Sequence, residues 1–192
     1  RWDGDFLTVR RLIAEQRLGD VFRFESRFER WRIAPKPRWL EPSAASAAEG
    51  IIYDLFTHLV DQALLLFGPA ESVYAEASKL RPGVQVEDDA FVALTHASGV
   101  RSHLGATIVA AHAAPRFAVY GTRGAYCKSG VDPQEEMLKA GRVPGERGWA
   151  EEPPDQWGTV DSADGTSAVR TETGAYERFY AELLEVMGGA GP

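Results

Sequence analysis

Residues 88–129 read DDAFVALTHASGVRSHLGATIVAAHAAPRFAVYGTRGAYCKS, a series of short runs rich in Val, Phe, Tyr and Thr broken at Ala97-Ser98-Gly99 and at Gly121-Thr122-Arg123-Gly124. Runs of this length bounded by Gly and Ser read as β-strands joined by tight turns. AESVYAEASKL (70–80), closed by Arg81-Pro82-Gly83, adds another strand ahead of them. Successive strands with short connections predict an antiparallel meander. Upstream, DVFRFESRFERWR (20–32) alternates Phe22, Phe24, Ser26 and Phe28 against Arg23, Glu25, Arg27 and Glu29, the period-two pattern of a half-buried strand.

Helical patterns frame these strands. In DFLTVRRLIAEQRLGD (5–20), Phe6, Val9, Leu12, Ile13 and Leu18 fall near helical spacing and Gly19 offers a stop. AEGIIYDLFTHLVDQALLLFG (48–68) is a longer apolar helix, PQEEMLKAG (133–141) a short one, and GAYERFYAELLEVM (174–187) an amphipathic one with Tyr176, Phe179, Leu183 and Val186 on one side. Ala34 to Glu49, rich in Pro, Ala and Ser, reads as a loop, while Arg142 to Glu172 is polar and gives no periodic assignment. The expected class is α+β, an antiparallel β-sheet with helices packed mainly on one face and the other face free for a partner domain or subunit.

The 192 residues, 44% of them apolar, suffice for one domain with its own core. A formal net charge of −7 opposes binding to a phosphate backbone, and RFESRFERWR (23–32), the most basic stretch, mixes both signs. One cysteine, Cys127, leaves no internal disulfide and points to a reducing compartment, with cytoplasm as the default. No apolar run reaches the roughly 18 residues of a spanning helix. The chain opens on Arg1 without an initiator methionine and stops at GGAGP directly after a helical pattern, so it is expected to be part of a longer protein.

The helix at 48–68 carries the chemistry. Its acidic, basic and histidine residues between Gly50 and Gly68 are Asp54, His58 and Asp61 alone. At about 100° per residue these lie on one face, opposite Ile52, Leu55, Phe56, Leu59, Ala63, Leu66 and Phe67. A plain solvated stripe is one reading. Asp and His are poor helix formers where Lys, Glu or Arg would serve, and this favours a chemical role. A histidine titrating near neutrality, with a carboxylate one turn away to orient it, is suited to removing a proton from a substrate hydroxyl. A metal site is a third reading; it requires further convergent ligands, drawn from His96, His103 and His112 in β-type runs where structural histidines are commoner.

Other segments carry less. GTRG lacks any phosphate-loop pattern and reads as a hairpin turn. Cys127 has no evident base beside it, and core packing is expected. Ser43 and Ser46 have no nucleophile elbow around them. Trp31, Trp39 and Trp157 could line a pocket or an interface, or be buried structurally.

Taken together, EGIIYDLFTHLVDQALLLFG, DDAFVAL, FAVYGTRGAY and DPQEEMLKAG resemble, in order and spacing, the C-terminal domain of the glucose-fructose oxidoreductase, inositol dehydrogenase and MocA (Gfo/Idh/MocA) family of NAD(P)-dependent oxidoreductases. RWDGDFLTVRRLI and RFESRFERWR resemble a subgroup that includes scyllo-inositol dehydrogenases. The similarity runs from residue 1 to about 187 and makes the whole of 1–192 a C-terminal substrate-binding and oligomerisation domain. It implies a sugar, inositol or related polyol as substrate and NAD or NADP as cofactor, held mainly by an N-terminal Rossmann domain absent from this chain. It further implies assembly as a homodimer or homotetramer through the sheet. The family's catalytic Asp and His fall on Asp54 and His58, Asp61 takes a supporting role, and Arg30 and Tyr53 become further substrate contacts. The isolated chain is then expected to be inactive. Two departures bear on the pocket. The family's glycine triplet is Ala48-Glu49-Gly50, and the glycine usual two residues after the Asp is Phe56. They leave open a non-catalytic binding or dimerisation domain of the same fold, beside the metal-dependent lyase or hydrolase that the metal reading would give.

Overall fold

The computed structural model describes residues 1–34 and 50–189. Most of the expected 34–49 loop, with Trp39, Ser43, Ser46, Ala48 and Glu49, lies outside the described residues.

Helix α1 (Gly4–Ala14) turns its apolar stripe inward: Phe6, Val9 and Leu12 are at most 1% exposed. It ends earlier than Gly19, because Gln16 already takes a left-handed conformation and the chain turns there. Strand β1 (Val21–Glu29) follows the alternation read above. Phe24 and Ser26 are buried, whereas a bulge between Val21 and Arg23 turns Phe22 out to solvent. The other side of β1 carries a charge ladder in which Glu25 pairs with Arg23 at 3.1 Å and with Arg27 at 2.7 Å. The most basic stretch of the chain thus neutralises itself within the sheet.

The apolar helix is not uniform. Residues Ile52–Phe56 form a π-helical turn, and the α-helix proper, α2, runs from Thr57 to Phe67. At its entry Gly50 has φ +91°, a conformation that side chains rarely adopt. The first N–H groups are satisfied from outside the helix: Ile51 donates to the Glu87 carbonyl at 3.2 Å and Ile52 to the Glu87 carboxylate at 3.4 Å. Phe56, Leu59, Ala63 and Phe67 then pack into the core.

Strands β2 (Ala70–Ser78), β3 (Asp89–His96), β4 (Arg101–Thr107), β5 (Phe117–Gly121) and β6 (Gly124–Lys128) match the sequence reading, with Thr122 and Arg123 as the hairpin turn of GTRG. Helix α3 is Gln134–Lys139. The unassigned polar stretch contains a further hairpin, β7 (Gly158–Ser162) and β8 (Gly165–Val169), and α4 (Glu177–Met187) closes the described chain.

All eight strands form one sheet in the order β2-β3-β4-β1-β5-β6-β7-β8. The single meander expected from the sequence is thereby split in two. β1 lies between β4 and β5, parallel to β4 with Ser26 opposite Leu104, and antiparallel to β5 with Ser26 opposite Phe117. The connection from Ile108 to Arg116 is long enough to step over β1. Elsewhere the sheet is antiparallel, and the buried faces of α1 and α2 share one apolar cluster with Phe24, Leu104, Phe117, Val119 and Tyr126. Cys127 corrects another expectation: Tyr126 and Lys128 point inward, so strand alternation turns Cys127 toward the open face, where it is only partly buried.

Helix α4 has the expected apolar side, but the described residues cover it only in part, Trp2 stacking edge-on against Phe179 with ring centroids 5.7 Å apart. Phe179 is 46% exposed and Leu183 43%. None of the described helices is long and apolar enough to cross a membrane.

Candidate active site

A cleft of about 610 Å³ opens where the first residues of the chain, the end of β1, the π turn with α2, Arg116, and residues 131–135 converge. It brings together Asp54, His58, Asp61 and Arg30, four of the residues singled out from the sequence. Tyr53, next to Asp54, is 58% exposed and is not among the lining residues.

The π turn shapes this wall. An extra residue per turn offsets Asp54 and Leu55 from the ideal α-helical stripe, so Leu55, read as a core residue, also lines the cleft. Asp54 and His58 are exposed, and no hydrogen bond or ion pair joins them. Asp61 has the stronger partner. Arg1 grips its carboxylate with two bonds, Nε to Oδ2 at 2.8 Å and Nη2 to Oδ1 at 2.5 Å. That grip, with a smaller contribution from His58, holds the Asp61 carboxyl below its usual range.

Beneath these exposed groups the cleft is lined by buried ones that periodicity did not single out. Asp5, in the first turn of α1, is 2% exposed, and burial pushes its carboxyl up to about 7. Arg116, just before β5, is 4% exposed, its guanidinium stacked between the rings of Phe28 at 3.8 Å and Phe117 at 4.1 Å. Asp132 accepts hydrogen bonds from the backbone N–H of Gly4 at 2.6 Å and of Gln134 at 2.9 Å, tying the chain start to the segment before α3. Asp3 accepts from the Tyr176 hydroxyl at 2.8 Å. The only sequence signal for this layer was Asp3-Gly4-Asp5 in a helix start that must pack closely: a Cβ on Gly4 would come within 2.1 Å of the Glu172 carbonyl oxygen.

The other histidines play different parts. His96 is 1% exposed and bonded at both ring nitrogens, Nδ1 with the Gly68 carbonyl and Nε2 with the Ser102 hydroxyl, each at 2.8 Å. It is the satisfied structural histidine that its strand context suggested. His103 stacks edge-on against Phe91 away from the cleft. Among the described residues no group of three or more His, Cys, Asp or Glu is placed to hold a metal ion. Trp31 is 58% exposed, and Trp157 donates from Nε1 to the Glu152 carbonyl at 3.2 Å. A second groove, of about 540 Å³, lies between the turn after α1 and the β7–β8 hairpin and contains none of the predicted site residues.

The sequence pattern of the GFO/IDH/MocA C-terminal domain matches residues 6–127. The chain is 40% identical over 195 residues to the uncharacterized oxidoreductase YdgJ of Escherichia coli, covering 100% of this chain and 55% of that protein. It is 32% identical over 189 residues to the scyllo-inositol 2-dehydrogenase (NADP(+)) IolW of Bacillus subtilis, covering 96% of this chain and 52% of that protein. Among solved structures, an oxidoreductase from Bacillus cereus superposes with a TM-score of 0.86 at 30% identity, over 100% of this chain and 56% of the other. The chain belongs to the Gfo/Idh/MocA family, to whose C-terminal domain it corresponds. It spans about half the length of the curated relatives it matches.

Proposed function

We propose that this chain is the substrate-binding and proton-transferring domain of an NAD(P)-dependent oxidoreductase acting on a sugar, inositol or related polyol. The observation that carries the reading is the convergence of His58, Asp54, Asp61 and Arg30 on one cleft. His58 takes the hydroxyl proton as the alcohol is oxidised and returns it in reduction, and its exposed imidazole is free to meet a substrate. Asp54 stabilises the protonated ring, the two groups drawing together when substrate fills the cleft, as catalytic contacts commonly do. Asp61, already held by Arg1, adds a carboxylate whose charge interacts with the His58 imidazole. Arg30 donates to a substrate hydroxyl from the end of β1.

Hydride acceptance is the chemistry the nicotinamide supplies when bound. The described residues contain no strand, glycine-rich loop and helix unit to cradle a dinucleotide, so they do not fit the cofactor by themselves. A Rossmann domain elsewhere in a longer protein holds it in this reading, and the isolated chain is inactive. The open sheet face, with its Arg23-Glu25-Arg27-Glu29 ladder, supports pairing of two copies in a homodimer or homotetramer, since alternating charges on one copy complement those on another turned about a two-fold axis. The IolW relationship supports scyllo-inositol as the first substrate to try.

The test is nicotinamide reduction by the full-length protein on a panel of inositols and sugars, with His58→Ala alongside. Turnover lost by at least about a hundredfold, with cofactor binding retained, is expected. Equal turnover in the variant would leave the domain a non-catalytic binding scaffold.

A further inference from the structure

Asp5 and Arg116 are the most deeply buried charged groups lining the cleft, and the reading above uses neither. Each senses the other's charge, yet no N–O contact of 4.0 Å or less joins them. Asp5 Oδ1 accepts from the Phe6 N–H at 2.7 Å. Arg116 Nη1 donates to the Ser26 hydroxyl at 2.5 Å and Nη2 to Gln62 Oε1 at 3.2 Å. A guanidinium has five N–H donors, so these two bonds leave three without a protein partner. Stacking between Phe28 and Phe117 prevents the group from turning away to find one.

We propose that Asp5 and Arg116 form a second polar subsite at the floor of the cleft, holding one hydroxyl of the polyol between them. This rests on the dehydrogenase reading of the same cleft. A hydroxyl is donor and acceptor at once, so it can donate to the free lobe of the Asp5 carboxylate while accepting from Arg116. The other small ligands fit worse. An anion would meet Asp3 and Asp132 as well as Asp5, and a cation would meet Arg116, with Lys128 also bearing on Asp5. Tyr126 and Tyr176, which also sense Asp5, stay neutral because burial pushes both phenols up. A site whose buried polar groups are completed by a substrate hydroxyl rejects an analogue lacking it, since both partners are then stranded.

The test uses the full-length protein, scyllo-inositol and its deoxy analogues. The wild type should lose roughly ten- to hundredfold in kcat/KM on the analogue lacking the clasped hydroxyl. Asp5→Asn should show a comparable loss on the parent polyol, expressed in KM rather than kcat, and little further loss on that analogue. Arg116→Lys, which keeps the charge but not the planar fork, should behave in the same way. Asp5→Asn is isosteric and removes a buried charge, so a melt at pH 8 no lower than that of the wild type will verify its fold. A parent kcat/KM within about twofold of wild type in Asp5→Asn, or an undiminished deoxy penalty in that variant, overturns the subsite. If the full-length protein oxidises no polyol, the dehydrogenase reading fails by itself. Calorimetric titration with scyllo-inositol then decides the subsite: binding heat lost in Asp5→Asn upholds it, and equal heat in both proteins, or none in either, overturns it.

Discussion

Two pairs of buried charges in this domain are handled in opposite ways. Lys128 and Glu152 have side chains that are each 1% exposed and meet at 3.0 Å. Lys128 also donates to the Ser129 carbonyl at 2.8 Å, and Glu152 accepts from the Thr171 hydroxyl at 2.7 Å. Asp5 and Arg116, nearly as buried, are kept apart at the cleft. Desolvating an ion costs several kcal/mol unless a partner and further hydrogen bonds offset it. The first pair meets that condition within the fold. The second leaves it partly unmet, and the deficit lies where a ligand can reach. Strained electrostatics confined to a cleft mark a functional site more reliably than charge alone.

The contrast can be broken most sharply at its paired side. Lys128→Met leaves Glu152 buried without a counter-charge and should destabilise the protein by about 3–5 kcal/mol in urea denaturation. A loss below about 1 kcal/mol would mean that water reaches this pair and that the two sites do not differ as described.

The unpaired side predicts a dependence on pH. The folded Asp5 carboxyl titrates at about 7, against an ordinary value of 3.8. Between those values the folded state holds a proton that the unfolded state has released, so this group favours folding below pH 3.8 and the benefit fades as pH rises to about 7. The full effect is on the order of 4 kcal/mol. Asp5→Asn should flatten that part of the stability profile and stabilise the protein above pH 7, a gain of the kind that often accompanies loss of function. An unchanged profile would place the Asp5 carboxylate in contact with Arg116 in solution.

Smaller effects are expected on the exposed wall. The Arg1–Asp61 pair is partly solvated, with side chains 49% and 39% exposed, so Asp61→Asn should cost only about 0.2–1 kcal/mol in a thermal melt. His58→Ala, at an exposed position, should change stability by no more than about 0.5 kcal/mol while removing turnover. A large stability loss in either would make that residue structural and would erase the distinction between floor and wall.

What could be read from the chain follows the range of the forces involved. The alternation of Phe24 and Ser26 with Arg23 and Glu25, and the stripe of Phe6, Val9 and Leu12, are local periodicities, and both elements formed as expected. Asp54, His58 and Asp61 stood out because an apolar helix has few reasons to carry them, and they do line one cleft. The π turn was not legible, since its extra residue answers to the Gly50 turn and to Glu87 reaching in from before β3. The β7–β8 hairpin was hidden because neither strand carries a strong apolar alternation; it forms by adding to the edge left by β6. Helix α4 was legible as an element, though nothing in its own sequence says what covers Phe179 and Leu183.

By itself, then, the sequence determined most of the elements, the family and the exposed face that carries Asp54, His58 and Asp61, because each depends on residues a few positions apart or on motifs in linear order. The insertion of β1 between β4 and β5 and the two buried groups at the cleft floor were decided by the tertiary structure. The strand order reflects which edges remain to be paired once hairpins have formed. The floor exists because α1, β1, α2 and the approach to β5 together exclude water from Asp5 and Arg116 while holding them too far apart to neutralise each other.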